Sequence, residues 1–172
     1  MNTKPAHLVP FLRVPPWVIL MAALFPSLSY AQAQGPRFIN PHGLVKPYGY
    51  THVVVAPDGR TVYVAGQVAL DSTGKLVGAG DFKAQAEQVF RNLNRAMESV
   101  GGSLADVIKT TTYVTDFKNV AALREIRGKY LAGGHPPANT LLVVSSLARA
   151  ELLLEIEAVA VLGQAVRLTN GD

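Results

Sequence analysis

The stretch DFKAQAEQVFRNLNRAMESVGG, residues 81–102, carries the clearest structural signal in the chain. Its apolar side chains recur at the spacing of one helix face, at Ala86, Val89, Phe90, Leu93, Met97 and Val100. Asp81 can cap the first turn, and Gly101 and Gly102 can end the last one in a left-handed conformation. The stretch therefore predicts an amphipathic helix that buries one face against the rest of a domain.

The segments before this helix have the pattern of β-structure. Thr51–Ala56 and Thr61–Ala65 are rich in β-branched residues, and Pro57, Asp58 and Gly59 between them are typical of a tight turn. We therefore expect the two runs to pair as a hairpin. Residues 34–46, which precede them, are rich in Pro, Gly and Asn and are expected to form an arm that leads into the domain.

The chain after the helix alternates between strand and helix patterns. The predicted elements are a strand at Val107–Val114, a helix from Lys118 or Asn119 to Tyr130, and strands at Ala138–Val144 and Glu151–Leu162. The predicted fold is α+β, in the order β-β-α-β-α-β-β, with a mixed sheet and two helices on one face. The other face carries Val, Ile and Leu side chains, so we expect the protein to oligomerise through it.

The composition fits one compact domain, placed at residues 47–162 and followed by a short tail at 163–172. Apolar residues make up 49% of the chain and charged residues 16%. Without Lys4 and Arg13, which lie in the leader, 14 of the 16 basic residues remain against 12 acidic ones. That excess is too small to predict a nucleic-acid or membrane surface. The absence of cysteine excludes disulfides and a cysteine nucleophile.

Residues 1–33 have the pattern of a secretory signal peptide. Two basic residues precede an apolar run at Trp17–Phe25, and two small-x-Ala sites follow, which end at Ala31 and Ala33. The run is much shorter than the roughly 18 apolar residues of a membrane-spanning helix. We therefore expect a periplasmic or secreted protein with no membrane part after cleavage, and a retained N-terminal anchor is the alternative.

The sequence predicts neither a metal nor a cofactor. The four histidines, His7, His42, His52 and His135, are scattered and lack the spacing of metal ligands. The glycines at 78 and 80 lack the third glycine and the preceding strand of a phosphate-binding loop.

Six stretches, in order and with compatible spacing, resemble motifs of the RidA/YjgF (reactive intermediate deaminase) family. They are Pro47–Tyr48, Val64–Gln67, Gln85–Leu93, Asp106–Asp116, Pro137–Thr140 and Glu155–Ala160. The last three are similar to the family's "DVVKTTVFVxD" run, its "PAR" motif and its "EIEAIA" strand. Together the six cover about residues 40–162, so by this resemblance the chain is identified as a member of the family.

The resemblance implies a chorismate-mutase-like α+β fold and a homotrimer with ligand clefts between subunits. Members of the arginine-bearing subfamily hydrolyse enamines and imines, such as 2-iminobutanoate and 2-iminopropanoate, to 2-oxo acids and ammonia, without a cofactor. By resemblance, Glu155 matches the glutamate that positions water and is the predicted catalytic residue.

The chain departs from the family where its relatives hold the substrate carboxylate. Asn139 replaces the motif arginine, and Leu141 replaces the cysteine often found two residues later. Both remain predicted substrate-binding positions. A neutral hydrogen bond contributes about 1 kcal/mol against about 2–3 for a charged one, so carboxylate capture should fall about tenfold or more. Arg149, Lys46 and His135 are candidate replacement cations, although each fits a solvated surface position as well.

The remaining site residues each have two interpretations. Glu155 and Glu157 stand two apart on a strand, so their side chains share a face. This face is either a solvated edge or part of a cleft. For Glu155 the resemblance favours the cleft. Tyr48 can close a substrate pocket or pack between subunits. Gly66 can let backbone groups approach a ligand or simply mark a strand end.

Three functions follow from these residues as hypotheses. The preferred one is an exported hydrolase with deaminase-like activity on a small imine or enamine, which need not carry a carboxylate. The alternative is a non-catalytic trimer that binds small metabolites or client proteins in the same cleft. Ribonuclease-like action is a third possibility, disfavoured by the small charge excess and the leader.

Overall fold

The computed structural model describes residues 35–163, so the predicted leader and nearly all of the predicted tail lie outside the described residues. The helix predicted from residues 81–102 is confirmed as α1, Phe82–Glu98. Asp81 caps it, with its Oδ1 accepting a hydrogen bond from the Ala84 N–H at 3.1 Å. Phe90 and Met97 on its apolar face are 1% and 0% exposed, which makes α1 the centre of the core.

The other elements place both helices against a mixed sheet. They are β1 (Arg37–Ile39), β2 (Val53–Val55), β3 (Arg60–Gln67), β4 (Val107–Val114), α2 (Val120–Tyr130), β5 (Ala138–Val143) and β6 (Leu154–Leu162). Four strands form one sheet in the order β3-β6-β4-β5, in which β4 and β5 are parallel and the other pairs antiparallel. The predicted α+β class with a mixed sheet and two helices is confirmed.

The predicted hairpin between Thr51–Ala56 and Thr61–Ala65 is wrong. β2 pairs instead with β1, which forms within the predicted arm. Thr51 bridges to Ala138 at the β5 edge, whereas β3 lies at the opposite edge of the four-stranded sheet. The turn residues at 57–59 therefore connect two sheets. Local turn chemistry predicted the reversal of the chain, but it does not determine which strand becomes the partner.

Alternation along β6 shows how the sheet divides its side chains between two faces. Leu154, Ile156 and Ala158 are at most 4% exposed and belong to the helix-covered core. Glu155 and Glu157 between them project from the opposite face, because successive residues of a strand point to opposite sides. This second face is the open face of the sheet among the described residues.

Two amide side chains of α1, one buried and one half-buried, bind the backbone of neighbouring segments. Gln85, which is fully buried, donates from Nε2 to the Glu151 carbonyl at 2.9 Å and accepts at Oε1 from the Leu153 N–H at 2.9 Å. Asn92 donates from Nδ2 to the carbonyls of Val68 and Leu70, both at 2.9 Å. These bonds hold the turn before β6 and the loop after β3. Residues 151–153 belong to the segment that Gln85 holds, and β6 begins at Leu154, three residues later than predicted.

The second helix is close to its predicted bounds. A 3-10 turn at Phe117–Asn119 leads into α2, and Asp116 caps that turn by accepting from the Lys118 N–H. Tyr130 at the end of α2 stacks on Phe90 at 4.9 Å and donates from its hydroxyl to Glu87 Oε2 at 2.6 Å. Within residues 35–163, no helix has the length and apolarity to cross a membrane.

Candidate functional site

Glu155 lies on the open face of the sheet, directly against Gly66. The pairing of β3 with β6 is interrupted by a bulge between Val64 and Gln67, and Gly66 lies within this bulge. A Cβ added to Gly66 would lie 2.8 Å from Glu155 Cδ and 3.0 Å from its Cγ, so any larger residue would displace this side chain. In the described part of the chain, Glu155 forms no ion pair. Its carboxylate is half-buried and available to a water or a ligand.

The same face carries a second acid with a basic neighbour. Glu157 and Lys109 line a shallow cavity of about 360 Å³ with Tyr63. Lys109 donates from Nζ to Thr140 Oγ1 and to the Thr110 carbonyl, each at 2.8 Å. Burial lowers the pKa of Lys109 below its usual 10.5, and the negative charge of Glu157 partly opposes that effect. Sequence reasoning did not single out Lys109.

The other predicted binding residues lie together at a different place. A cavity of about 350 Å³, here named the cationic cavity, opens between the N-terminal segment, α2 and β5. The predicted residues that line it are Tyr48, Asn139, Leu141 and Lys46. The apolar part of its wall includes Phe117, Val120 and Leu123.

Asn139 is fixed in this cavity by two threonines of the neighbouring strand. Thr110 and Thr112 donate from their hydroxyls to Asn139 Oδ1 at 2.9 and 3.1 Å. β4 and β5 run parallel with Thr110 opposite Asn139, so the three side chains share one face. Because Oδ1 is occupied by these bonds, the Nδ2 group is the part of the amide left to meet a ligand.

Two arginines of α2 line the cationic cavity, and sequence reasoning missed both. The guanidinium of Arg124 lies 5.5 Å from the centre of the Tyr48 ring. Arg127 is half-buried, and a Cβ added to Gly49 would lie 2.5 Å from its Nη2. Burial lowers the pKa of Arg127, and the charge of Arg124 lowers it further. Their spacing of three along one helix could have shown that they share a face, but not what that face meets.

Of the three candidate replacement cations, the structure places only Lys46 at this cavity. Arg149 instead pairs with Glu151, with its Nε 2.7 Å from Oε1. His135 stacks on Phe38 with ring centres 5.0 Å apart and lines a separate cavity of about 220 Å³.

The four-stranded sheet separates the predicted site residues into two groups. Glu155 and Gly66 lie at the open face, whereas Asn139 and Leu141 project from the helix-covered face of β5, beside Tyr48. One chain therefore does not bring all five together. In the described range, no cluster of three or more His, Asp or Glu side chains is arranged to hold a metal ion.

The fold and these residues define a small α+β domain of known kind. Residues 44–162 match the family described as Endoribonuclease L-PSP. A RutC family protein of Pyrococcus horikoshii is 39% identical over 117 residues, which cover 67% of this chain and 89% of that protein. The chain belongs to the RidA/YjgF family, as the sequence motifs predicted.

Two solved structures give the same result for the fold. The Rid-family protein YyfB of Yersinia pestis superposes with a TM-score of 0.69 at 41% identity, over 75% of this chain and all of that one. RidA from an Antarctic Psychrobacter species has a TM-score of 0.56 at 35% identity, over 69% of this chain and 92% of that one.

Proposed function

We propose that this protein is an exported hydrolase with deaminase-like activity on small imines or enamines. The observation that carries the proposal is the placement of Glu155, whose carboxylate faces the open side of the sheet against Gly66 and has no basic partner among the described residues. Such a group can orient a water and accept its proton. Family membership supports the same reaction class.

The reaction needs one base and a held substrate. Glu155 takes a proton from water as the water oxygen bonds to the imine carbon, and the C=N bond becomes a single bond. Return of that proton to nitrogen gives a carbinolamine. Glu155 then transfers the hydroxyl proton of the carbinolamine to its nitrogen, the C–N bond breaks, and ammonia leaves as the carbonyl forms. The balance is imine plus water to ketone or aldehyde plus ammonia. No metal or organic cofactor takes part in this proposal.

A homotrimer with clefts between subunits is part of the proposal. Because the sheet lies between Glu155 and Asn139, a cleft that uses both requires the open face of one copy and the cationic cavity of another. The open face has side chains suited to an interface, since Tyr63 is 80% and Leu142 40% exposed. A monomer at micromolar concentration in light scattering would contradict this part.

The direct test uses freshly generated 2-iminopropanoate and measures ammonia release or semicarbazone kinetics. Glu155→Gln should lower turnover by at least about a hundredfold, because it removes the base while keeping the shape. Glu157→Gln is the matched control, as it lies on the same strand and face two residues away, and it should retain most activity. Equal activity of the wild type and Glu155→Gln would refute the assignment of Glu155.

A non-catalytic binder is the second candidate, and the separation of the site residues within one chain favours it. The Oδ1 atom of Asn139 already accepts hydrogen bonds from two threonines, and Leu141 has no reactive group. In that case the wild type would bind metabolites without turnover, and Glu155→Ala would leave their affinity unchanged.

Ribonuclease-like action is the third candidate, and the description of the matching family favours it. The small excess of basic over acidic residues weighs against an RNA surface. Cleavage of RNA that persists at constant specific activity through repeated purification would support it.

Export is proposed from residues 1–33 alone. The charged start, the short apolar run and the small-x-Ala sites favour cleavage and a periplasmic or secreted product. Sequencing the N-terminus of the protein from a native host should find a chain that begins after Ala31 or Ala33.

A further inference from the structure

The cationic cavity has an unbalanced charge. Its lining holds three cations, Lys46, Arg124 and Arg127, and no carboxylate. Neither arginine forms an ion pair within residues 35–163. Glu125 lines an adjoining cavity of about 620 Å³ but pairs with neither of them. Like charges three apart on a helix repel, and a half-buried charge without a partner costs free energy. An anion in the cavity would offset both costs.

Each guanidinium has one close neighbour, although Arg124 is exposed and Arg127 is half-buried. Tyr48 lies beneath Arg124 in a cation–π contact. Gly49 has a φ of 74°, which glycine adopts without strain, and its missing side chain leaves the space that Arg127 Nη2 fills. A positioned arginine loses less entropy on binding than a solvated one, so this arrangement suits recognition of an oxyanion.

The rest of the wall indicates what the anion carries. Phe117, Val120, Leu123 and Leu141 give the cavity an apolar side, and its volume of about 350 Å³ is in the range of small-molecule sites. Asn139 Nδ2 adds a neutral donor. This combination suits one planar oxyanion with a short apolar body better than a bare inorganic ion.

We propose that Arg124 and Arg127, assisted by Asn139, bind the carboxylate of a small organic acid in the cationic cavity. The pair would supply the positive charge that the substitution at Asn139 removes, from a helix instead of a strand. This inference rests on the proposed function only in that it names the substrate class for the same site. Binding of the acid requires no turnover.

The test measures the affinity of benzoate, an unreactive aryl carboxylate, by isothermal titration calorimetry with the full chain. Arg127→Gln and Arg124→Gln should each weaken binding at least about tenfold, because each removes a charge-assisted hydrogen bond. The control is Arg95→Gln, an exposed arginine on α1 outside the cavity, which should leave the affinity unchanged. Arg127→Lys keeps the charge without the forked geometry and should lie between wild type and Arg127→Gln.

Several outcomes would overturn the inference. One is equal benzoate affinity of the wild type and Arg127→Gln when both melt at the same temperature. A second is that the wild type binds the neutral benzyl alcohol as tightly as benzoate. A third is that the wild type binds inorganic phosphate more tightly than benzoate. Failure of the proposed function is distinguishable from these. A protein that binds benzoate through the arginines but hydrolyses no imine loses only the proposed function, whereas one that hydrolyses imines but ignores benzoate loses only this inference.

Discussion

The two faces of the four-stranded sheet differ in charge and in what they can do. On the open face, Glu155 and Glu157 present carboxylates, and Glu155 has no basic partner among the described residues. Beside the helix-covered face, the cationic cavity gathers Arg124 and Arg127 without an acid. One face therefore has a candidate base, and the other has candidate groups to hold an anion.

This difference shows that strand alternation distributes the chemistry of the protein as well as its packing. Ile156 lies between the two glutamates and is 1% exposed, so the same strand supplies core and site in alternate positions. A slip of one residue in the register of β6 would bury both carboxylates and expose the core. The core thus fixes the direction in which Glu155 points.

The largest expected effect tests the assignment of the two faces directly. Ile156→Ala should reduce the free energy of unfolding by about 2–5 kcal/mol, because it leaves a cavity in the core. Glu155→Ala, its immediate neighbour, should change it by less than about 0.5 kcal/mol. Urea unfolding of both variants measures the difference, and similar losses for the two would contradict the assignment.

A smaller loss of stability is expected from substitution of Asn139, which lines the cationic cavity. Asn139→Ala removes the acceptor of Thr110 and Thr112, which are 3% and 2% exposed, and should cost about 1–3 kcal/mol of stability. Asn139→Asp keeps an acceptor at that position and should recover most of the loss. If thermal or urea unfolding shows Asn139→Ala to be neutral, these hydroxyls have other partners.

The smallest expected effect concerns Lys109 on the open face. Burial lowers the pKa of Lys109 in the folded state, so the unfolded chain binds the lysine proton more tightly than the folded chain. The charged form of Lys109 therefore opposes folding at pH values below its folded-state pKa. The stability of the wild type should therefore rise relative to Lys109→Met as pH increases toward 10.5, the ordinary lysine value. Urea unfolding at pH 7, 9 and 10.5 measures this, and a constant difference would show that Lys109 is not desolvated.

Much of the fold could be predicted because its signals are local. The apolar stripe of α1, the Asp81 cap and the β4 run are each contained in fewer than about 20 residues, and the structure confirms all three. The predicted hairpin failed because strand pairing is non-local. Val53–Val55 had no local signal that distinguished Arg37–Ile39 from β3 as its partner.

The candidate site could be predicted only in part for the same reason. Motif resemblance identified Glu155 and Asn139, but it did not show that the sheet would separate them. Arg124 and Arg127 belong to no motif, and the residues they contact, Tyr48 and Gly49, are more than 70 residues away in sequence. Contacts between residues so far apart in sequence leave no local pattern from which they could be predicted.

The amino-acid sequence by itself determined the helices, most strands and the family, because periodicity, capping and motifs act over short stretches. Only the tertiary structure decided which side of the sheet each site residue faces and which cations line the same cavity as Asn139. Those outcomes depend on register and on packing between distant segments, where the free energy of the whole core, rather than local preference, selects the arrangement.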